Sequence, residues 1–98
     1  MQMKKARIAK AAREHISPGE KIILDSGTTV LELAKLVNDI PDLTVVTNDL
    51  HIASEVSIFP NATLLMVGGV VRKGFNSTYG YFAEKCWEHL CQQNISFH

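Results

Sequence analysis

Apolar residues in this chain fall into short blocks divided by polar turns, and two kinds of block alternate. Ile22-Ile23-Leu24, Leu43-Thr44-Val45-Val46-Thr47 and Thr63-Leu64-Leu65-Met66-Val67 are near-continuous apolar runs. Runs of that kind, rich in branched side chains, suit strands buried on both faces of a parallel sheet. Between the first two, Val30, Leu33, Ala34 and Val37 recur at helical spacing. The pattern predicts a helix over Lys4–His15 and a turn at Ser17-Pro18-Gly19-Glu20. A strand over Lys21–Asp25 follows, then a helix over Thr29–Val37 and a turn at Asn38-Asp39-Ile40-Pro41-Asp42. Next come a strand over Leu43–Thr47 and a short helix from Asn48-Asp49 to about Val56, with Asn48 as its cap. The remainder reads as a turn at Phe59-Pro60-Asn61, a strand over Thr63–Val67 ending in Gly68-Gly69, and a loop over Val70–Tyr79 carrying Arg72, Lys73, Gly74, Asn76 and Ser77. A helix over Gly80–Gln92 follows, and Asn94–His98 opens a fourth strand. Strand and helix alternate throughout, which predicts an α/β fold with a parallel sheet and helices on both faces.

The junction after the first strand carries the most chemistry. Asp25-Ser26-Gly27-Thr28-Thr29 passes from strand to helix within a few residues. The first amides of a helix lack intrahelical partners and point along its axis. The helix dipole adds partial positive charge there, a combination suited to an anion such as phosphate. Gly27 allows close backbone approach, and Ser26, Thr28 and Thr29 add hydroxyl donors. The same residues also read as a plain turn and a capping box, with Thr29 as cap and Glu32 three residues on.

Two further strand ends favour a site. Ligands of open α/β sheets bind beyond the carboxyl ends of the strands. Here Thr47-Asn48 and Gly68-Gly69 join Asp25-Ser26-Gly27 as ends fit for polar contact. Asn48 offers both a donor and an acceptor, Gly69 lets backbone come near a ligand, and Arg72 or Lys73 supplies a countercharge. Asp25 has three possible roles: accepting a sugar hydroxyl, pairing with Arg72, or fixing the loop.

Composition narrows the class. Nearly half of the 98 residues are apolar, and the formal net charge is zero. That balance predicts a globular domain, does not point to a strongly nucleic-acid-seeking one, and fits self-association. The basic residues of the first helix, Lys4, Lys5, Arg7, Lys10 and Arg13, read either as a nucleic-acid patch or as a solvated face, and the segment's lack of the second helix of a helix-turn-helix favours the solvated face. No apolar run is long enough to span a membrane, and the N-terminus lacks the apolar segment of a secretory signal, so a cytoplasmic setting is expected. Cys86 and Cys91 are five apart on a predicted helix and point to different faces, which argues against a disulfide. Cys86 and His89 lie three apart, but His51 is on another element, so neither a metal nor a cofactor is expected.

These residues resemble a known family. Asp25-Ser26-Gly27-Thr28-Thr29, then Val45-Val46-Thr47-Asn48 with Ile52-Ala53, then Val67-Gly68-Gly69-Val70-Val71-Arg72 are similar, in that order, to the sensor domain of DeoR-type bacterial transcription regulators. Lys5–Ile16 with Pro18-Gly19-Glu20 resembles the stretch preceding that domain. The resemblance implies a three-layer Rossmann-like fold related to ribose-5-phosphate isomerase and glucosamine-6-phosphate deaminase. It implies a phosphorylated sugar or related metabolite as effector, and control of a DNA-binding domain. Carried onto this sequence, it implies Ser26, Gly27, Thr28 and Thr29 as the phosphate loop, Asn48, Gly69 and Arg72 as ligand contacts, and Gly80 at the next helix start.

Residues 1–17 would then be a linker helix and residues 18–98 a truncated sensing domain, incomplete at the C-terminus. DNA would be reached only through a helix-turn-helix that this chain lacks. An open strand edge at Ile95–Phe97 would favour homo-oligomers. The alternative from a different class is a sugar-phosphate isomerase or deaminase of the same fold. Only Asp25, Asp49 and Glu84 are carboxylates near the proposed crevice, and they form no recognisable acid–base pair.

Overall fold

A computed structural model describes residues 2–74 and 77–98. Four parallel strands, β1 (Lys21–Leu24), β2 (Thr44–Thr47), β3 (Thr63–Met66) and β6 (Ile95–Phe97), form one sheet in the order β3-β2-β1-β6. The register sets Ile22 beside Val45 and Ile95, and Val46 beside Leu65. Four helices complete the layers: α1 (Gln2–Arg13), α2 (Thr28–Leu36), α3 (Leu50–Ser57) and α4 (Tyr81–Gln93).

Strand periodicity divides the core. Successive side chains of a strand face opposite sides of the sheet. Ile22, Leu24 and Val45 therefore pack with Ala9 of α1, Val30, Leu33 and Ala34 of α2, and Ile52 and Val56 of α3. Ile23 and Val46 face the other way, onto Val67 and Ala83, with Trp87, Leu90 and Cys91 of α4 around them. The chain is thus an α/β three-layer, Rossmann-like arrangement with helices on both faces. The second face is the thinner one: Phe82, Tyr81, Leu65 and Met66 remain exposed beside it.

Helix α1 is fixed to α2 by more than Ala9. The Arg13 Nε donates to Leu36 O at 2.8 Å, and its guanidinium also bonds Asp39. That hydrogen bond holds the Asp39 carboxyl below its ordinary range.

Three details differ from the expectations above. Val70–Tyr79 is not simply a loop: β4 (Val70–Arg72) and β5 (Ser77–Tyr79) pair antiparallel as a small separate hairpin. Asn76, assigned to that loop, lies outside the described residues. Helix α2 begins at Thr28 with Gly27 as its cap residue, so Thr29 is not the cap, and among the described residues no side chain caps the helix. Helix α3 is capped by Asp49 rather than Asn48, the Asp49 Oδ1 accepting from Ile52 N at 2.9 Å.

The two cysteines are free thiols, Cys86 exposed and Cys91 half-buried. Burial and then the charge of nearby Asp25 push the Cys91 thiol up, outweighing a hydrogen bond from Ser96. Only the thiolate is nucleophilic. Iodoacetamide at mildly alkaline pH should therefore label Cys86 well before Cys91. Peptide mass spectrometry checks this, and equal rates would contradict the packing of α4 against the sheet.

Candidate functional site

Strand order reverses at β1. The chain leaves β1 through α2 towards β2 and β3, and returns through α4 to β6 on the opposite side of β1. Beyond the carboxyl end at such a reversal, loops diverge and leave a crevice. Asp25, Ser26 and Gly27 occupy that point.

Their geometry is set from both neighbours. Asp25 N donates to Phe97 O at 2.9 Å, extending the β1–β6 pairing by one residue. The Asp25 carboxylate then turns back on its own loop. Its Oδ1 accepts from Ser26 N at 2.8 Å, and its Oδ2 lies 2.9 Å from His98 Nδ1. His98 Nε2 is 3.1 Å from Ser96 Oγ. Of the roles open to Asp25, fixing the loop is the one these contacts describe. Asp25 also occupies the Ser26 amide.

Past this anchor, Gly27 takes φ +148° and ψ 152°, a conformation that side-chain-bearing residues rarely adopt. The turn delivers the chain into α2, whose ladder starts with Leu31 N donating to Gly27 O at 2.9 Å. With no side-chain cap among the described residues, the first-turn amides of this nine-residue helix open outward.

The opposite wall comes from the end of β2. Thr47 is completely buried. Its hydroxyl donates to Leu24 O at 2.7 Å and accepts from Asp49 N at 3.1 Å, so one side chain joins the tips of β1 and β2. Asp49, capping α3, pairs with Ser77 across an isolated bridge that brings the hairpin over the strand ends. The result is a cleft of about 380 Å³ lined by Ser26, Gly27, Thr28, Leu31, Asp49, His51 and Gly74.

Only part of the expected site meets in this cleft. Ser26, Gly27 and Thr28 line it. Thr29 borders a small cavity between α1, α2 and His98 instead. Asn48 lines a separate cleft under α4. Gly69 and Gly80 border a third, largely apolar one with Tyr81 and Phe82. Gly69 answers to packing: a Cβ there would lie 2.6 Å from Tyr79 O and 3.0 Å from Ala83 Cβ. Arg72 sits in β4 with its guanidinium carbon 5.1 Å from the Tyr79 ring centre.

Leu31, His51 and Gly74 border this cleft without having been singled out for it. His51 had a legible signal, as it falls in the first turn of the helix after the second strand tip. Gly74 reaches the cleft only through the hairpin. Among the described residues, no helix is long and apolar enough to cross a membrane.

Comparison with known proteins agrees with this architecture. The family profile described as the DeoR C terminal sensor domain matches residues 1–97. A putative aga operon transcriptional repressor of Escherichia coli O157:H7 is 42% identical over 81 residues, covering 83% of this chain and 30% of the relative. An HTH-type transcriptional regulator of Haemophilus influenzae is 37% identical over 93 residues, 95% of this chain and 36% of its own length. The transcriptional repressor AccR of Agrobacterium fabrum is 36% identical over 81 residues, 83% of this chain and 31% of the relative. The chain spans about a third of the length of these three relatives.

Proposed function

The chain belongs to the DeoR C-terminal sensor domain family, and on that premise we propose that it binds a phosphorylated sugar at the loop after β1 and reports that binding to a DNA-binding domain. The observation that carries this reading is the uncapped start of α2 opening into a cleft at the reversal of strand order. Backbone amides there meet a phosphate without any change of protonation, and the Ser26 and Thr28 side chains border the same space. His51 on the far wall would add charge-assisted bonding when protonated. Arg72 or Lys73 would approach from the hairpin side.

Binding fits this cleft better than turnover. The nearby carboxylates are already engaged, Asp49 as a helix cap and Asp25 in its loop and with His98. Neither is left as the free base that isomerisation would need. A regulator with such a domain would read metabolite level through the β1–α2 junction, and homo-oligomers would let two such readings act on one operator.

Substitution Thr28→Glu tests the anion site with opposite signs. A carboxylate in the first turn favours a helix dipole by about 0.3–1 kcal/mol, so thermal stability should hold or rise. The same charge should repel phosphate. Calorimetry with ribose 5-phosphate and inorganic phosphate should show weakened binding in the variant and further weakening by salt. Unchanged affinity for both probes in a well-folded variant would remove the site.

A further inference from the structure

The two faces of the sheet are covered unequally. Helices α1, α2 and α3 pack on the face of Ile22, Leu24 and Val45, whereas among the described residues α4 is the one helix on that of Ile23 and Val46. A helix is about 10 Å across and neighbouring strands lie about 4.8 Å apart, so one helix covers roughly two strands. The strand left over is β3, at the edge of the sheet. Leu65 lies beside Val46 in register and so shares its face, yet it is 45% exposed.

Between β3 and α4 runs a groove of about 360 Å³, and around the start of α4 lies a hollow of about 460 Å³. The two share Gly68, Phe82 and Ala83, so they form one continuous surface centred on Phe82. Among the described residues, no charged side chain lines either. Phe82 stands out from this surface at 85% exposure, and Tyr81, its edge-to-face neighbour, at 68%. With Leu65, Met66, Val70 and Tyr79, these residues present roughly 700–800 Å². The largest apolar patch of a typical monomer is about 300–600 Å². Each partner in a stable interface contributes about 800 Å². Charge borders the patch without entering it: the Arg72 guanidinium lies 5.1 Å from the Tyr79 ring centre and the Lys85 ammonium 5.8 Å from that of Tyr81. An apolar centre with a polar rim is the layout of a protein interface.

The patch is also complementary to itself. A projecting ring and a groove adjoin at Phe82, so a two-fold axis beside them sets each ring into the opposite groove. Zero formal net charge leaves no long-range repulsion between identical copies. We propose that a second copy of this chain covers this face, in an isologous dimer with each copy's Phe82 seated between α4 and β3 of the other. Self-association is thereby assigned to the α4 face and not to the open β6 edge. The proposal does not rest on the sugar-phosphate reading.

Sedimentation velocity over a series of concentrations should show a reversible monomer–dimer equilibrium. Phe82→Ser should weaken the dimer by at least about 30-fold, the loss expected at an interface hot spot. Phe82 is 85% exposed in the single chain, so the dilute variant should melt at the same temperature as the dilute parent. Ile58→Ser removes another well-exposed apolar side chain, at the end of α3 on the opposite face, and should leave the dimer constant unchanged. Cys86 borders the groove, so its alkylation should slow as the parent's concentration rises through the dimer range, and should not slow in Phe82→Ser. A monomer at every concentration, open-ended aggregation, a dimer constant unmoved by Phe82→Ser, or equal weakening by Ile58→Ser overturns the proposal.

Discussion

Thr47→Val should destabilise the domain by about 2–3 kcal/mol, because each buried backbone group left without its partner costs about 1–3 kcal/mol. The substitution keeps shape and nearly keeps volume. What it removes is one hydroxyl that serves both Leu24 O and Asp49 N in a fully buried position. Thr47→Ser retains that hydroxyl and gives up one methyl, for a loss of about 1 kcal/mol. Urea unfolding should therefore rank valine below serine, with similar slopes. The reverse ranking would mean that the methyl matters at this position and the hydroxyl does not. The effect should also reach ligand binding, since the same hydroxyl holds the β1 and β2 tips together beneath the cleft. Phosphate affinity should fall more in Thr47→Val than in Thr47→Ser.

The second large effect is expected at Gly69→Ala, for about 2–3 kcal/mol from backbone strain and crowding together. Gly69 adopts φ +157°, and an added Cβ would meet the backbone oxygen of Tyr79 at 2.6 Å. Backbone in a paired strand cannot swing aside as a flexible side chain can. The hairpin would have to lift from the start of α4. Gly74 supplies the control, with φ +85° and nothing within 4 Å of the place a methyl would take. Gly74→Ala should cost about 1 kcal/mol from conformation alone. Thermal melts of both variants check the difference, and equal losses would show that crowding at Tyr79 is relieved at no cost.

Much of the layered fold was legible because strand and helix blocks differ in period. Ile22-Ile23-Leu24 could only be buried on both sides, and the structure places Ile22 and Leu24 on one face with Ile23 on the other. Caps were harder. Asn48 and Asp49 are both good capping residues, and the sequence does not choose between them. Pairing chooses: Val67 N donates to Thr47 O and Thr78 N to Asn48 O, which ties Asn48 to the hairpin and leaves the cap to Asp49, whose own backbone is extended. Thr29 failed as a cap for a related reason, since the helix had already begun at Thr28 behind the turn at Gly27.

The hairpin escaped because its strands are three residues each and sit on no buried face. Val70-Val71 and Thr78-Tyr79 did carry β-forming side chains, with Gly74 between them at a positive φ. For the candidate site, the strand-tip argument put Ser26, Gly27 and Thr28 at the end of β1, where the structure has all three lining a cleft. It could not foresee that Asn48 and Asp49 would line different clefts, because that depends on the hairpin, which bonds Asn48 O through Thr78 N and bridges Asp49 through Ser77.

The position of β6 has a consequence for how the chain reaches its native state. Ile22 pairs with Val45 only 23 residues on, but with Ile95 across 73 residues. Closing so long a loop is entropically slow, and contacts of high sequence separation lengthen folding times. The three strands joined through α2 and α3 can assemble early as a nucleus, whereas β6 must await the docking of α4. The Asp25–Phe97 and Asp25–His98 contacts that shape the loop after β1 should therefore form late, so the turn bordering the candidate cleft is completed only once β6 has paired.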